Sequence, residues 1–492
     1  MLHPVQTLNM LCNQGAGLNQ LLHAMNQNYA VVKYSSKIMV ASIIGNDLDL
    51  MSDDHFHKMF ANLVVVEKIR NRSRKFKVSE EWFSWEDRRQ YLNRGVVFEP
   101  GAPLDIPNDM LNMWRGFGIL PKQGNWTLMR DHILKVVCSG QQEYFDYLIR
   151  WMAYAVQNPG APIGVAVALL GAQGAGKGVV ARIFGKFFGK HFLHIANGDQ
   201  LTGRFNASLG MSCVVFLDEA LWGGDKKREG ILKALITEPM LQLEAKFRDP
   251  IMVTNRLRII AASNNDWSVP TGIGDRRWFI LNVASTYAGT GHREYWNALY
   301  AEIESAGAAA MFYDLLQTDL CGFNVLAMPH TLAKAQQQVQ SLTGTEAWLH
   351  HILQEGAVGY SSWQQNGLEV ATAEAYKDFS EFSREQHEYK PDGKALWSRK
   401  IRATLGPCVD DTRLTIGGGR IRSFKFGPLI DCRRRFAKSI GAPELQWGPE
   451  NDRGMATTDF DPNGTVATSF ESLPAEALNQ ANADLSLVRR ET

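Results

Sequence analysis

The chain has 492 residues, 45% hydrophobic and 21% charged, with a formal net charge of +1. This composition excludes disordered and fibrous classes, and the length exceeds one ordinary hydrophobic core, so several domains, about three, are expected. Near-balanced charge excludes a uniformly basic nucleic-acid coat, so any polyanion contact must come from local patches.

Six scattered cysteines, Cys12, Cys138, Cys213, Cys321, Cys408 and Cys432, form no CxxC pair and have no His at zinc-ligand spacing. Neither structural zinc nor disulfides are expected. No apolar run approaches the ~18 residues of a membrane span, and the N-terminus lacks a basic-then-apolar signal layout. The expected location is the cytoplasm, a bacterial host's under the resemblance described below, with no membrane partner.

In chain order, residues 1–120 read as an α+β region. Alternating segments at 29–32 and 38–44, separated by Ser35-Ser36, predict a β-hairpin. The cations Lys68, Arg70, Arg72, Arg74, Lys75 and Lys77 read as a solvated face or a phosphate-binding strip, and Ser79-Glu80-Glu81 behind them as a capped helix start. Tyr144, Leu148, Trp151 and Ala155 recur at helical spacing and predict a helix over 141–157, stopped by Asn158-Pro159-Gly160. Four apolar runs, 165–170, 213–217, 257–262 and 278–283, then alternate with helical stretches. That alternation predicts an α/β, doubly wound core with a buried sheet, assigned to a domain over 121–344. Helices near 345–354, 373–386 and 397–405 precede strands at 413–416 and 420–426 that turn at Gly417-Gly418-Gly419. This order suggests a winged-helix-type module over 345–442. Residues 443–492, rich in Asn, Asp, Gly, Pro, Thr and Ser, are expected to form a mostly disordered tail.

The first of the four runs leads into Gly171-Ala-Gln-Gly174-Ala175-Gly176-Lys177-Gly178, and a helix follows over 179–188. Strand, glycine loop and helix in that order form the context of a phosphate-binding P-loop. Glycines at 171, 174 and 176 let backbone N–H groups, those of Ala175 and Gly178 among them, curl around phosphate oxygens, and Lys177 reaches the β- and γ-phosphates. Gly178 stands where Ser or Thr usually offers a hydroxyl to Mg²⁺. Either a carboxylate and waters hold the metal, or nucleotide binding is impaired; the first is the expectation, since Mg²⁺ keeps several waters anyway. The second run ends in Asp218-Glu219, carboxylates suited to hold Mg²⁺ through water and to polarise an attacking water respectively. The third ends in Ser263-Asn264-Asn265, and Asn264 is a candidate to orient that water or sense the γ-phosphate. Before the fourth, Asp275-Arg276-Arg277-Trp278 offers two guanidiniums, either of which could stabilise charge at a neighbouring subunit's γ-phosphate. ATP and Mg²⁺ are the expected cofactors.

In this order the four elements, over residues of about 110 to 285, resemble the superfamily 3, AAA+-type DNA helicases, especially the helicase part of phage, plasmid and poxvirus-type primase-helicases. Three further stretches share the resemblance: Leu232-Lys233-Ala-Leu-Ile-Thr-Glu-Pro, Glu244-Ala-Lys246-Phe and Arg258-Ile-Ile-Ala-Ala-Ser-Asn264. The resemblance implies a ring, commonly a hexamer, that hydrolyses ATP between subunits and translocates on single-stranded or forked DNA, with any primase or polymerase a separate partner. In that family a hairpin before the Asn strand enters the channel. Here 241–247 and 251–260 flank Arg248-Asp249-Pro250, which makes Lys246 and Arg248 the DNA-binding candidates. Residues 1–120 resemble the collar-like segment of these proteins. The C-terminal module, with Arg413, Arg420, Arg422, Lys425 and Arg433-Arg434-Arg435, resembles their DNA-contacting domain. Two other readings keep most motifs: a nucleotide-switched replication initiator or loader, and a P-loop small-molecule phosphotransferase.

Overall fold

The computed structural model describes residues 3–34, 37–69, 72–107, 109–198, 206–220, 226–244, 250–264, 269, 271–387, 390–416 and 419–447. Most of the 443–492 tail therefore lies outside the described residues.

In the N-terminal region, helices Pro4–Asn13 and Leu18–Asn28 precede the predicted hairpin, found as antiparallel strands Tyr29–Tyr34 and Lys37–Ile44. Alternation along Tyr29–Tyr34 sends Tyr29 and Val31 into one apolar cluster, with Phe56 and Trp82, and Ala30 and Val32 into another. The basic run is a strand pair with Arg72, Arg74, Lys75 and Lys77 exposed, and it is the capped helix start at Ser79 that the structure corrects. Val64–Ile69 and Arg72–Lys77 form an antiparallel hairpin, and helix Val78–Ser84 follows directly with no side-chain cap. Ser79 is inside that helix, buried, with its hydroxyl 3.2 Å from His57 Nδ1. Burial of Phe76 and Val78 fixes the hairpin against the body and leaves Ser79 no cap to make.

The central region is a five-stranded sheet in which every neighbouring pair is parallel. Its order is Phe192–Ile195, Val214–Asp218, Arg258–Ser263, Ala166–Leu170, Trp278–Asn282. The four predicted runs supply four of these strands. Val167 and Leu169 pack on one face with Trp151 of helix Gln142–Gln157 and Phe184 of helix Lys177–Phe188. Ala166, Ala168 and Leu170 pack on the other with Leu232 and Leu235 of helix Lys226–Thr237. Both faces being covered explains why these strands read as unbroken apolar runs. Phe192–Ile195 lies at a sheet edge and is only partly buried, so it left no such run.

The predicted arm at 251–260 is two elements. Ile251–Thr254 pairs with Met240–Leu243 in a separate hairpin, and the sheet strand starts at Arg258. Asn255 makes the break: its Nδ2 donates to the carbonyls of Leu235 and Glu238, both at 2.8 Å. Lys246 and Arg248 lie outside the described residues.

The C-terminal region contains helices Gly344–Glu355, Thr372–Glu385, Lys394–Leu405 and Leu429–Ile440 with a three-stranded antiparallel sheet. Trp348, Phe379, Trp397 and Phe424 form its core. Strand Leu368–Ala371, absent from the sequence reading, pairs only with the Ser423–Phe426 half of Gly419–Phe426. The distal half of the Val409–Ile416 and Gly419–Phe426 ribbon thus runs beyond the third strand, with Arg413 directly opposite Arg422. Arg433 departs from expectation: it is buried, and its Nε donates to the Leu353 carbonyl at 2.9 Å. Among the described residues, no helix is long and apolar enough to cross a membrane.

Candidate active site

Strand Ala166–Leu170 delivers the chain to the C-terminal edge of the sheet, the edge where open α/β sheets bind ligands. The turn there requires glycine at two positions. Gly176 has φ +95°, and a Cβ on it would come within 2.7 Å of the His132 and Trp296 rings. Gly171 has φ +145°, and a Cβ on it would meet the Val283 carbonyl at 2.7 Å. Lys177, the first residue of the following helix, is 6% exposed. Its ammonium donates to the carbonyls of Gly171 at 2.5 Å and Ala172 at 2.8 Å, and to Asn264 Oδ1. Burial pushes the lysine down from its ordinary range, opposed by the charges of Glu219 and Asp218.

Strand order sets the width of the site. Arg258–Ser263 lies between the loop strand and Val214–Asp218, so the acidic pair sits two strands away, about 10 Å at ordinary strand spacing. Asn264, at the end of the intervening strand, stands between them. Its backbone N–H donates to Glu219 Oε2 at 3.1 Å. Glu219 has φ +55°. Asp218 Oδ2 is 3.1 Å from His194 Nε2 and 3.6 Å from Arg182 Nη2.

One cleft of about 460 Å³ is lined by Gln173 to Val179, Arg182, Asp218, Glu219 and Asn264. Trp296 and Tyr300, with Gly289, add an aromatic wall to the same lining. Trp296 is fixed by its Nε1 donating to the Tyr287 carbonyl at 3.0 Å, while Tyr300 is 45% exposed. Beneath it, His132 Nδ1 and the Tyr295 hydroxyl are 2.7 Å apart, and burial holds His132 down at about 4.

The structure therefore brings together Gly171, Gly174, Ala175, Gly176, Lys177, Gly178, Asp218, Glu219 and Asn264. It does not bring Arg276 or Arg277 to them. Both precede Trp278–Asn282, whose first residue pairs with Ala166 at the opposite end of the loop strand. A strand of this length separates the two edges by about 17 Å. Arg277 is held by Asp275, Nη1 to Oδ2 at 3.2 Å, whereas Arg276 is exposed and makes no ion pair among the described residues. Sequence reasoning missed Arg182, His194, Trp296 and Tyr300. Only the four-residue spacings of Gly178 with Arg182 and of Trp296 with Tyr300 could have marked them as shared helix faces.

Residues 169–277 match the model of a family of unknown function, DUF5906. Over 196 residues the chain is 26% identical to a DNA primase-polymerase of Nitratiruptor phage NrS-1. That match covers 37% of this chain and only 27% of the relative's length. Two apo structures of the NrS-1 C-terminal region share the fold. One superposes with a TM-score of 0.55 at 17% identity, covering 81% of this chain and 96% of that one. The other gives 0.54 at 16%, covering 86% and 100%. The chain is thus similar in sequence to part of a phage replication protein, and in fold to the C-terminal region solved for that phage.

Proposed function

We propose that this chain is the ATP-hydrolysing motor of a phage or mobile-element replicative DNA helicase, an AAA+-type P-loop ATPase working as a ring, the hexamer of the resemblance, in the host cytoplasm. One observation carries the reading. A single cleft joins a buried lysine on a glycine loop to an Asp-Glu pair two strands away, with an asparagine between. This spacing suits a triphosphate laid between the loop and the acids, and the C-terminal module and its basic ribbon suit a winged-helix DNA contact.

The residues fit a nucleoside triphosphate with magnesium. The glycines leave a hollow that a Cβ would fill, and Lys177 is held there by two carbonyls and Asn264, contacts that phosphate oxygens can replace. Asp218 and waters would hold magnesium, which when bound neutralises charge on the phosphates. Lys177 binds the β- and γ-phosphates, Glu219 takes up a proton from the attacking water, and Asn264 orients that water. The aromatic wall receives the nucleoside. Arg276 lies too far from its own cleft to act there and is free to reach the cleft of a neighbouring subunit, so hydrolysis requires assembly.

The test is ATP hydrolysis with and without single-stranded DNA, beside unwinding of a forked duplex, for wild type and Lys177→Ala. DNA-stimulated hydrolysis with opening of the fork, both lost in the variant, supports the motor. Hydrolysis without unwinding favours an initiator or loader, a reading to which the missing hydroxyl at Gly178 lends some weight. Hydrolysis indifferent to DNA would replace the motor with a small-molecule phosphotransferase.

A further inference from the structure

Gly178 lacks the side chain that a phosphate loop ordinarily sets beside its metal, and Arg182 lies four residues on in the same helix. Helical side chains lean toward the N-terminus and cover the position one turn back. The arrangement here follows that rule. A Cβ built on Gly178 would find the Arg182 guanidinium carbon at 3.7 Å and its Nη2 at 3.7 Å, with the Phe216 ring at 3.8 Å. Arg182 Nη2 also lies 3.6 Å from Asp218 Oδ2, and the side chain, 59% exposed, lines the cleft. The guanidinium therefore sits between the helix N-terminus, where phosphates bind, and the carboxylate suited to the metal.

We propose that Arg182 is a nucleotide-binding residue that takes over, as a fixed cation, part of what the usual hydroxyl and its metal do. This rests on the phosphate-cleft reading above. On phosphate arrival the guanidinium exchanges its carboxylate partner for phosphate oxygens, to which its planar fork donates two charge-assisted hydrogen bonds. Asp218 is then released for the metal. Two consequences follow. Nucleotide binding depends less on magnesium than a lysine-only loop would allow, and the space beside Gly178 admits a serine, whose Cβ would make only ordinary contacts.

The experiment measures equilibrium binding of a fluorescent ATP analogue to the full chain, with magnesium and with EDTA, for wild type, Arg182→Ala, Arg182→Lys, Gly178→Ser/Arg182→Ala and Lys177→Ala. Wild type is expected to lose less than about tenfold in affinity in EDTA. Arg182→Ala should bind at least about tenfold more weakly in EDTA, the scale of a charge-assisted hydrogen bond, and Arg182→Lys should lie between. Adding Gly178→Ser to Arg182→Ala should restore binding with magnesium and not with EDTA. Circular dichroism and melting of each variant separate loss of binding from loss of fold, and Arg182→Lys carries the test if the alanine variant melts early. Equal binding by wild type and Arg182→Ala in both media, with Lys177→Ala defective, overturns the role of Arg182 alone. Absence of Lys177-dependent binding in wild type overturns the phosphate-cleft reading with it.

Discussion

The two edges of the central sheet treat their cations in opposite ways. At the C-terminal edge, Lys177 is held by two loop carbonyls and one amide oxygen around an open cleft. At the other edge Arg258 is fully buried, donating to the carbonyls of Arg256, Asn158 (2.6 Å) and Ala161 (2.9 Å), and burial holds it down at about 10. Arg256 beside it pairs with Glu99 at 2.6 Å, tying the N-terminal region to the sheet. A cation whose partners are all fixed carbonyls fastens the helix end at Asn158 to the sheet. One that faces a cleft has partners a ligand can displace. Residue type does not separate these roles; the presence of a cavity does.

The contrast can be broken most severely at Lys177. On the proposed reading, Lys177→Ala reduces nucleotide binding and hydrolysis to background while the melting temperature stays near wild type; a variant that still hydrolyses would remove the cleft from the mechanism. Arg276→Ala comes next. Nucleotide binding should persist while steady-state hydrolysis falls by about 10³, the scale of an arginine supplied between subunits. Mixing it with Lys177→Ala should recover activity, because each variant retains what the other lacks. Arg277→Ala, which loses its Asp275 partner, should instead show mainly a stability defect.

Arg258→Met should take a donor from three carbonyls, of which Asn158 keeps the Ala161 N–H, and lower unfolding free energy by about 3 kcal/mol in denaturant titrations, with nucleotide affinity of the folded fraction unchanged. A further effect, smaller for each group taken singly, comes from pH. Burial lowers His132, His191 and His350 from 6.5 to about 4, so each stays neutral in the fold where the unfolded chain would protonate it. Their contribution is therefore full above about pH 6.5 and is lost progressively as pH falls toward 4, about 1 to 3 kcal/mol apiece. Urea midpoints that are flat from pH 8 to 5, or a slope unchanged in His132→Gln, would contradict this.

What was legible in the sequence was what neighbours in the chain express. The glycine loop, Asp218-Glu219 and Ser263-Asn264 each end an apolar strand, so position along the chain predicted position at the sheet edge. The aromatic wall was not legible, because it brings Trp296 against Gly176 across more than a hundred residues of chain. The strand Phe192–Ile195 escaped notice because an edge carries no continuous apolar run. The basic hairpin gave no strand signal because its cations hide strand alternation, with only Phe76 on Arg72–Lys77 buried. The strand-edge positions of Arg276 and Arg277 were foreseen; their distance from the cleft needed the sheet's direction.

Glu219 has a left-handed backbone, φ +55°, which residues with a side chain rarely adopt without cost. The acidic corner therefore carries stored conformational tension, held by the Glu219 N–H donating to the Ala262 carbonyl at 3.0 Å. Glu219→Gly would release it. The relaxed protein should melt slightly higher, by the equivalent of about 1 kcal/mol, while losing the carboxylate assigned to the attacking water. Durability and catalysis would then pull this one residue in opposite directions.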